Sequence, residues 1–265
     1  MGLGKQIRLK RIFSHPSGRL LSVAVDHFTV YNLGLPPGLR QIKSTLEKVI
    51  AAQPDAVTMH KGIATSLWGQ HAGKAALIMQ SSGVRPDDSA IEQFGTVEDA
   101  VRLGADAMAV VAFVRGASEA HYLRVMADCV REGARWEMPI ICHVYPRDAE
   151  LNIIYTPEDI AWAVRCMVEV GVDIVKVPYC GDAAAHAQIV ADCPVPMVAA
   201  GGPKTPTLAD ALGLMADAVR VGVMGGTVGR NIWGDGDIAG AARAYKAVIH
   251  DGKPIQEALR EVRSG

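Results

Sequence analysis

Residues 156–179 read TPEDIAWAVRCMVEVGVDIVKVPY, and the order of features in this stretch decides the fold. Thr156 supplies a side-chain oxygen for the first free N–H groups of a helix, and Pro157 fits the first helical position, where its missing N–H costs nothing. Glu158 and Asp159 place negative charge at the positive helix end, and Gly171 suits the helix exit. Val172-Asp173 and an apolar, β-branched strand pattern follow. The same order occurs upstream: Thr96-Val-Glu-Asp99 opens a helix that ends at Gly104, and Ala105-Asp106 then leads into another strand. Strand, helix, strand at this spacing is the βαβ signature.

Working outward, the spacing predicts strands over 20–26, 56–60, 76–80, 107–112, 139–143, 173–178, 196–200 and 218–224. Most are apolar without alternation, as in parallel sheets covered on both faces. Helix patterns lie between them over 38–52, 97–103, 119–132, 157–170 and 207–215. Eight units in 265 residues give about 33 residues each, near the ~250-residue size of a (β/α)8 barrel. No Pro/Ser-rich linker marks a boundary, and no G-x-G-x-x-G follows the first strand as a dinucleotide-binding doubly wound sheet would require. The expectation is α/β, a single (β/α)8 TIM barrel occupying 1–265.

The composition excludes other classes. With 49% hydrophobic and 21% charged residues and a net charge of −1, the chain is neither disordered nor a general nucleic-acid binder, which needs a basic excess. No apolar run reaches the ~18 residues a membrane span needs. Lys5, Arg8, Lys10 and Arg11 near the start precede no apolar core of a secretory signal, and Gln6 stands where a myristoylation signal has Ser or Thr. Five cysteines without a C-x-x-C pair read as free thiols in a reducing, cytoplasmic compartment.

Barrel catalytic groups sit at the C-terminal strand ends, and phosphate often binds after strands 7 and 8. Lys176 lies inside an apolar strand, and alternation puts it with Ile174 and Pro178 on the face opposite Val175 and Val177. A lysine facing the barrel interior loses solvation, so its pKa falls and its amine is freed to attack a carbonyl; the competing reading is a structural ion pair, for example with Asp26. Asp26 ends the first strand, where a carboxylate is costly unless paired; it serves either as a holder of substrate hydroxyls and helper of proton transfer or as an ion-pair partner. Tyr145 shares a face with His143 if their strand continues that far, and its phenol is either a proton donor and acceptor or an ordinary rim residue. Arg147 either binds an anionic substrate group or lies exposed. Two glycine loops, 198–204 and 225–231, follow the last two strands; Gly201, Gly202 and Gly229 open backbone N–H groups to an anion, and Lys204 and Arg230 supply charge. His27, His60 and His143 fall at strand ends, but parity lets only one of Asp26 and His27 face inward and no H-x-H or H-E-x-x-H spacing occurs, so no metal and no cofactor is expected.

These residues resemble the archaeal-type, or DhnA-type, class I fructose-bisphosphate aldolases, with 2-amino-3,7-dideoxy-heptulosonate synthase and the autoinducer-2 thiolase as relatives. The similarity runs from Gly4-Lys-Gln-Ile-Arg-Leu-Lys-Arg-Ile-Phe13 and Val-Asp-His27, through Tyr-Pro-Arg147, to Lys-Val-Pro-Tyr179, Gly-Gly-Pro-Lys204 and Gly-Arg-Asn-Ile-Trp233. The resemblance implies a Schiff-base Lys176, an acid/base Tyr145, a strand-1 carboxylate at Asp26, and a phosphate site at Gly201, Gly202, Gly229 and Arg230; His27, His143, Arg147 and Lys204 complete the candidate substrate- and phosphate-binding residues. It implies a phosphorylated small-molecule substrate and a homo-oligomer, often a ring. The expected reaction is aldol cleavage or formation; the alternatives are transaldolase-, heptulosonate synthase- or thiolase-type transfer with the same lysine, or a phosphate-binding isomerase or epimerase without a covalent intermediate. The chain departs from the aldolase pattern at His143, where Trp is usual, at Phe28, where Gly is usual, and in a reshaped first loop over 31–37.

Overall fold

The computed structural model describes residues 1–27, 34 and 36–262; Phe28 and most of the 31–37 loop lie outside them. Helix α1 (Leu3–Ile12) precedes β1 (Leu20–Ala24), and α2 (Ile42–Ala51), β2 (Ala56–His60), α3 (Lys61–Leu67) and β3 (Ala76–Gln80) follow. A short antiparallel hairpin, β4 (Ser82–Val84) with β5 (Ile91–Gln93), leads into α4 (Val97–Arg102), β6 (Ala107–Val114), α5 (Glu119–Trp136), β7 (Ile140–Pro146) and α6 (Pro157–Val170). The chain continues through β8 (Ile174–Val177), α7 (Ala183–Ala191), β9 (Met197–Ala200), α8 (Leu208–Arg220), β10 (Gly225–Val228), α9 (Arg230–Trp233), α10 (Ile238–Ile249) and α11 (Ile255–Ala258). The parallel strands close in the order β1-β2-β3-β6-β7-β8-β9-β10, and Leu20 pairing with Gly225 seals the (β/α)8 barrel.

The helix signals act as the sequence implies. Thr96, Thr156 and Thr207 accept the N–H groups of Asp99, Asp159 and Asp210, and Gly171 takes the left-handed conformation (φ 92°) at the end of α6. The aspartates just before three strands each cap a neighbouring strand: Asp55 accepts from Leu21 N–H, Asp106 from Leu77 and Asp173 from Ile140, at 2.6, 3.3 and 2.9 Å. Each carboxylate thereby satisfies a backbone donor at the N-terminal rim.

Alternation divides the core in two. Val175 and Val177 pack outward in the layer between strands and helices, whereas Ile174 joins Leu20, Ala56, Ala76, Ala107 and Ile141 inside the barrel. Ile12, at the end of α1, is fully buried in this inner group, so α1 closes the N-terminal mouth. Lys5–Asp173 and Arg11–Asp106 ion pairs hold it there.

The last strand is displaced from its expected place. Ala218 and Val219 continue the buried stripe of α8 at helical spacing from Leu212 and Met215, and the strand is Gly225–Val228 instead of 218–224. At Gly225 (φ 96°) a Cβ would lie 2.0 Å from Leu20 O, so only glycine can bring this backbone against β1. Gly225 and Gly226 therefore belong to the barrel wall, and the loop begins at Gly229. At other strands the ends differ: β1 stops at Ala24 instead of residue 26, and β7 runs on to Pro146, past the expected 143.

Candidate active site

The C-terminal strand ends converge on one cavity lined by Asp26, His27, Gln80, His143, Tyr145, Lys176 and Arg230 among others. Because β7 continues through Tyr145, His143 and Tyr145 share its inner face. Because β1 ends before residue 26, strand parity does not govern Asp26 and His27; both line the cavity, with His27 Nδ1 3.2 Å from the Asp26 carboxylate. That corrects the expectation that only one of them faces inward.

Lys176 is 5% exposed, and burial pulls its amine down to about 8, with Arg230 adding to the shift and Asp26 opposing it. Near pH 7 about a tenth of such amines are unprotonated, against a negligible fraction of ordinary lysines. Its Nζ lies 3.5 Å from His143 Nδ1. Burial alone would raise the Asp26 carboxyl, but His27, Lys176 and His60 outweigh it and hold Asp26 well below the usual carboxylate range. Burial, reinforced by Asp26, raises the Tyr145 phenol, so it enters the cavity protonated. An amine of lowered pKa, a neutral phenol and an ionised carboxylate lining one cavity suit carbonyl addition with proton transfer.

A second lobe shares His27, Tyr145, Lys176 and Arg230 with the first and adds Gly201, Gly202, Thr227 and Gly229. At Gly229 a Cβ would come within 2.3 Å of the His27 ring, so glycine keeps the β10 exit pressed onto the cavity. Arg230 Nε is buried with no hydrogen-bond partner among the described residues. Such a guanidinium beside an open cavity is suited to an anion.

Two expected binding residues lie elsewhere. Arg147 is fully buried, but its guanidinium forms a fork with Asp88 at 3.0 and 3.1 Å, donates to Ser118 and Pro86, and stacks over Phe113. Lys204 is exposed and lines neither lobe.

Two further buried polar residues bear on the shape of the cavity, and neither was assigned a place in it from the sequence. Gln80 ends β3 and is 2% exposed; it donates to Asp26 at 3.0 Å and faces His143 Nδ1 at 3.4 Å. The signal was the one that marked Asp26, a polar residue closing an apolar strand. Asn231, fully buried, donates to Gly201 O and Pro203 O at 3.0 and 2.8 Å and accepts from Thr205 N–H at 3.0 Å, tying the two glycine segments together. Among the described residues no group of three or more His, Cys, Asp or Glu is placed to hold a metal ion.

Residues 20–235 match the family model described as DeoC/LacD family aldolase. The chain belongs to that family. This aldolase is 30% identical over 250 residues to the Streptomyces griseus 2-amino-4,5-dihydroxy-6-oxo-7-(phosphonooxy)heptanoate synthase, covering 93% of this chain and 90% of the relative. It is 31% identical over 258 residues to the Halobacterium salinarum 2-amino-3,7-dideoxy-D-threo-hept-6-ulosonate synthase, covering 97% and 95%. A solved archaeal fructose-1,6-bisphosphate aldolase, its catalytic lysine covalently bound to a carbinolamine intermediate, superposes with a TM-score of 0.82 at 26% identity, covering 93% of this chain and 99% of that one. The protein is thus a class I, Schiff-base-type aldolase. No helix among the described residues is long and apolar enough to cross a membrane.

Proposed function

We propose that this aldolase makes or breaks a C–C bond next to the ketone of a phosphorylated substrate, with Lys176 as the imine-forming residue. The observation that carries the reading is the buried Lys176 amine, lowered to about 8 and opening on the cavity shared with Asp26 and Tyr145. The iminium acts as an electron sink for the bond that breaks. Tyr145 moves protons at the carbinolamine and at the nucleophilic carbon. Asp26 receives substrate hydroxyls, and Gly201, Gly202, Gly229 and Arg230 hold the phosphate, with His27 on the wall between the two lobes. Incubation with dihydroxyacetone phosphate followed by borohydride should leave a reduced adduct on Lys176, located by peptide mass spectrometry and lost in Lys176→Ala. A folded protein that gives no adduct with any of a panel of phosphorylated ketones would refute it.

A second reading concerns the partner aldehyde. Cutting the Streptomyces relative's named product as an aldol, between C4 and C5, leaves dihydroxyacetone phosphate and a four-carbon 2-amino-4-oxobutanoate. His143, where fructose-bisphosphate aldolases of this kind usually have Trp, favours such a different acceptor. Product analysis with glyceraldehyde 3-phosphate and with 2-amino-4-oxobutanoate separates the two. We further infer that residues 1–265 act as one domain, that the five free cysteines reflect a cytoplasmic location, and that exposed Trp136, Trp162 and Leu214 serve self-association. Light scattering on the purified chain tests the last point; a monomer at all concentrations would refute it.

A further inference from the structure

We propose that His143 takes the proton from Lys176 and that Gln80 is the positioning residue that keeps His143 Nδ1 free to do so. This deepens the assignment of Lys176 as the imine-forming residue and rests on it.

The register of the barrel places the partners side by side, since His143 on β7 pairs with Lys176 on β8. The orientation of the Gln80 amide is then set at both ends by groups with no choice of role. Ser82 N–H is only a donor and meets Gln80 Oε1 at 2.9 Å. The ionised Asp26 carboxylate is only an acceptor and meets Gln80 Nε2 at 3.0 Å. The remaining N–H of Nε2 is left facing His143 Nδ1, 3.4 Å away, and Lys176 Nζ approaches the same nitrogen at 3.5 Å. A ring nitrogen faced by two N–H donors carries no proton of its own, so the imidazole proton sits on Nε2 and the Nδ1 lone pair points at the amine. Both contacts are long, as catalytic hydrogen bonds often are before substrate tightens a site.

The charged and titratable groups that bear on the ring are Lys176, Asp26 and His27. Burial most of all, then Lys176, disfavours the imidazolium; Asp26 opposes them, and His27 adds a smaller push the same way. A base so reluctant to hold charge is a transient acceptor. The ammonium of Lys176 gives one proton to Nδ1, and the freed nitrogen pair forms the C–N bond while the carbonyl π pair moves to oxygen. The Tyr145 phenol relays a proton from nitrogen to that oxygen, giving the neutral carbinolamine. His143 then returns its proton to the departing hydroxyl, which leaves as water, and the nitrogen pair forms the iminium. In sum, an ammonium and a ketone become an iminium and water, and His143 ends unchanged.

The test is the single-turnover rate of adduct formation on Lys176, trapped with cyanoborohydride across pH 6 to 10 using dihydroxyacetone phosphate and a panel of longer phosphorylated ketones. It compares the full-length protein with His143→Asn and Gln80→Met. Near neutral pH His143→Asn should form adduct about 10²-fold more slowly, the size of a lost general base. The deficit should shrink above the titration of Lys176, where a free amine needs no acceptor. Gln80→Met should show a smaller deficit of the same pH shape. A deficit equal at every pH, or none, with the unsubstituted protein labelled at Lys176, overturns the role of His143 and leaves the Lys176 assignment standing. Failure of the unsubstituted protein with the whole panel overturns both. Circular dichroism establishes that each variant is folded, and His143→Gln provides the same comparison if His143→Asn is not.

Discussion

Lys176 and Asp26 sit in one cavity, and after burial, the largest influence on both, each favours the charged form of the other. Imine formation needs the unprotonated amine, so its rate should rise with pH and level off above about 8, measured by borohydride trapping. Asp26 is the charge that raises the Lys176 pKa, so Asp26→Asn should move this midpoint to lower pH while slowing turnover. A midpoint that stays or climbs would refute the coupling. Arg230 is expected to act on the substrate's charge: Arg230→Ala should weaken binding of a phosphorylated ketone by about 10- to 100-fold, the worth of a charge-assisted hydrogen bond, and barely touch its unphosphorylated analogue. Calorimetry on the pair of ketones measures this. The sequence reading picked out Asp26 as a carboxylate ending an apolar strand, Lys176 as a cation inside one, Tyr145 just past a strand end and Arg230 on a glycine loop. The same logic applied to Arg147 did not place it at the cavity: burial shows only that a charge has a partner, and here the partner is Asp88.

Secondary elements hold these groups through their ends. Asn231 follows the exit of β10 yet binds the carbonyls of Gly201 and Pro203 beyond β9, so it sets the shape of the second lobe without lining it. Asn231→Ala leaves these carbonyls without their donor and should cost about 1–3 kcal/mol of stability together with weaker phosphate binding. Thr207→Ala removes the cap of α8 and should cost about 1 kcal/mol with ketone binding retained. Thermal melts of both variants, with binding measured in parallel, distinguish the two effects. The N–H groups that Asp55, Asp106 and Asp173 accept lie 29 to 34 residues away on a neighbouring strand and were not legible, whereas the Thr96 and Thr156 caps were legible in the sequence because their partners lie within a turn. The last strand was not. Ala218 to Met224 is as apolar as a strand, and only the continued burial stripe of α8, together with the close contact of Gly225 with Leu20, assigns it to helix and turn.

At the scale of the whole molecule, closure of the barrel separates a stability end from a chemical end. Ile12 fills the inner core at the N-terminal mouth in one cluster with Ile174, and it does not line the cavity that Lys176 enters two residues further along β8. Ile12→Ala should lower the unfolding free energy by about 2–5 kcal/mol, read by urea unfolding, and leave the trapped adduct on Lys176 at its usual yield once folded. Loss of the adduct from folded protein would show that the two ends are coupled. By itself, the sequence determined the repeating βα pattern, the Thr96 and Thr156 helix caps and the strand face that Lys176 shares with Ile174, because these follow from period, propensity and capping over a few residues. Only the tertiary structure decided that Asp26 and His27 both enter the cavity, that Gln80 bridges Asp26 and His143, that Asn231 ties the two glycine segments together, and that Arg147 belongs to Asp88. Those contacts join residues tens to hundreds of positions apart. Their partners are chosen by barrel register and loop packing, which no local pattern encodes.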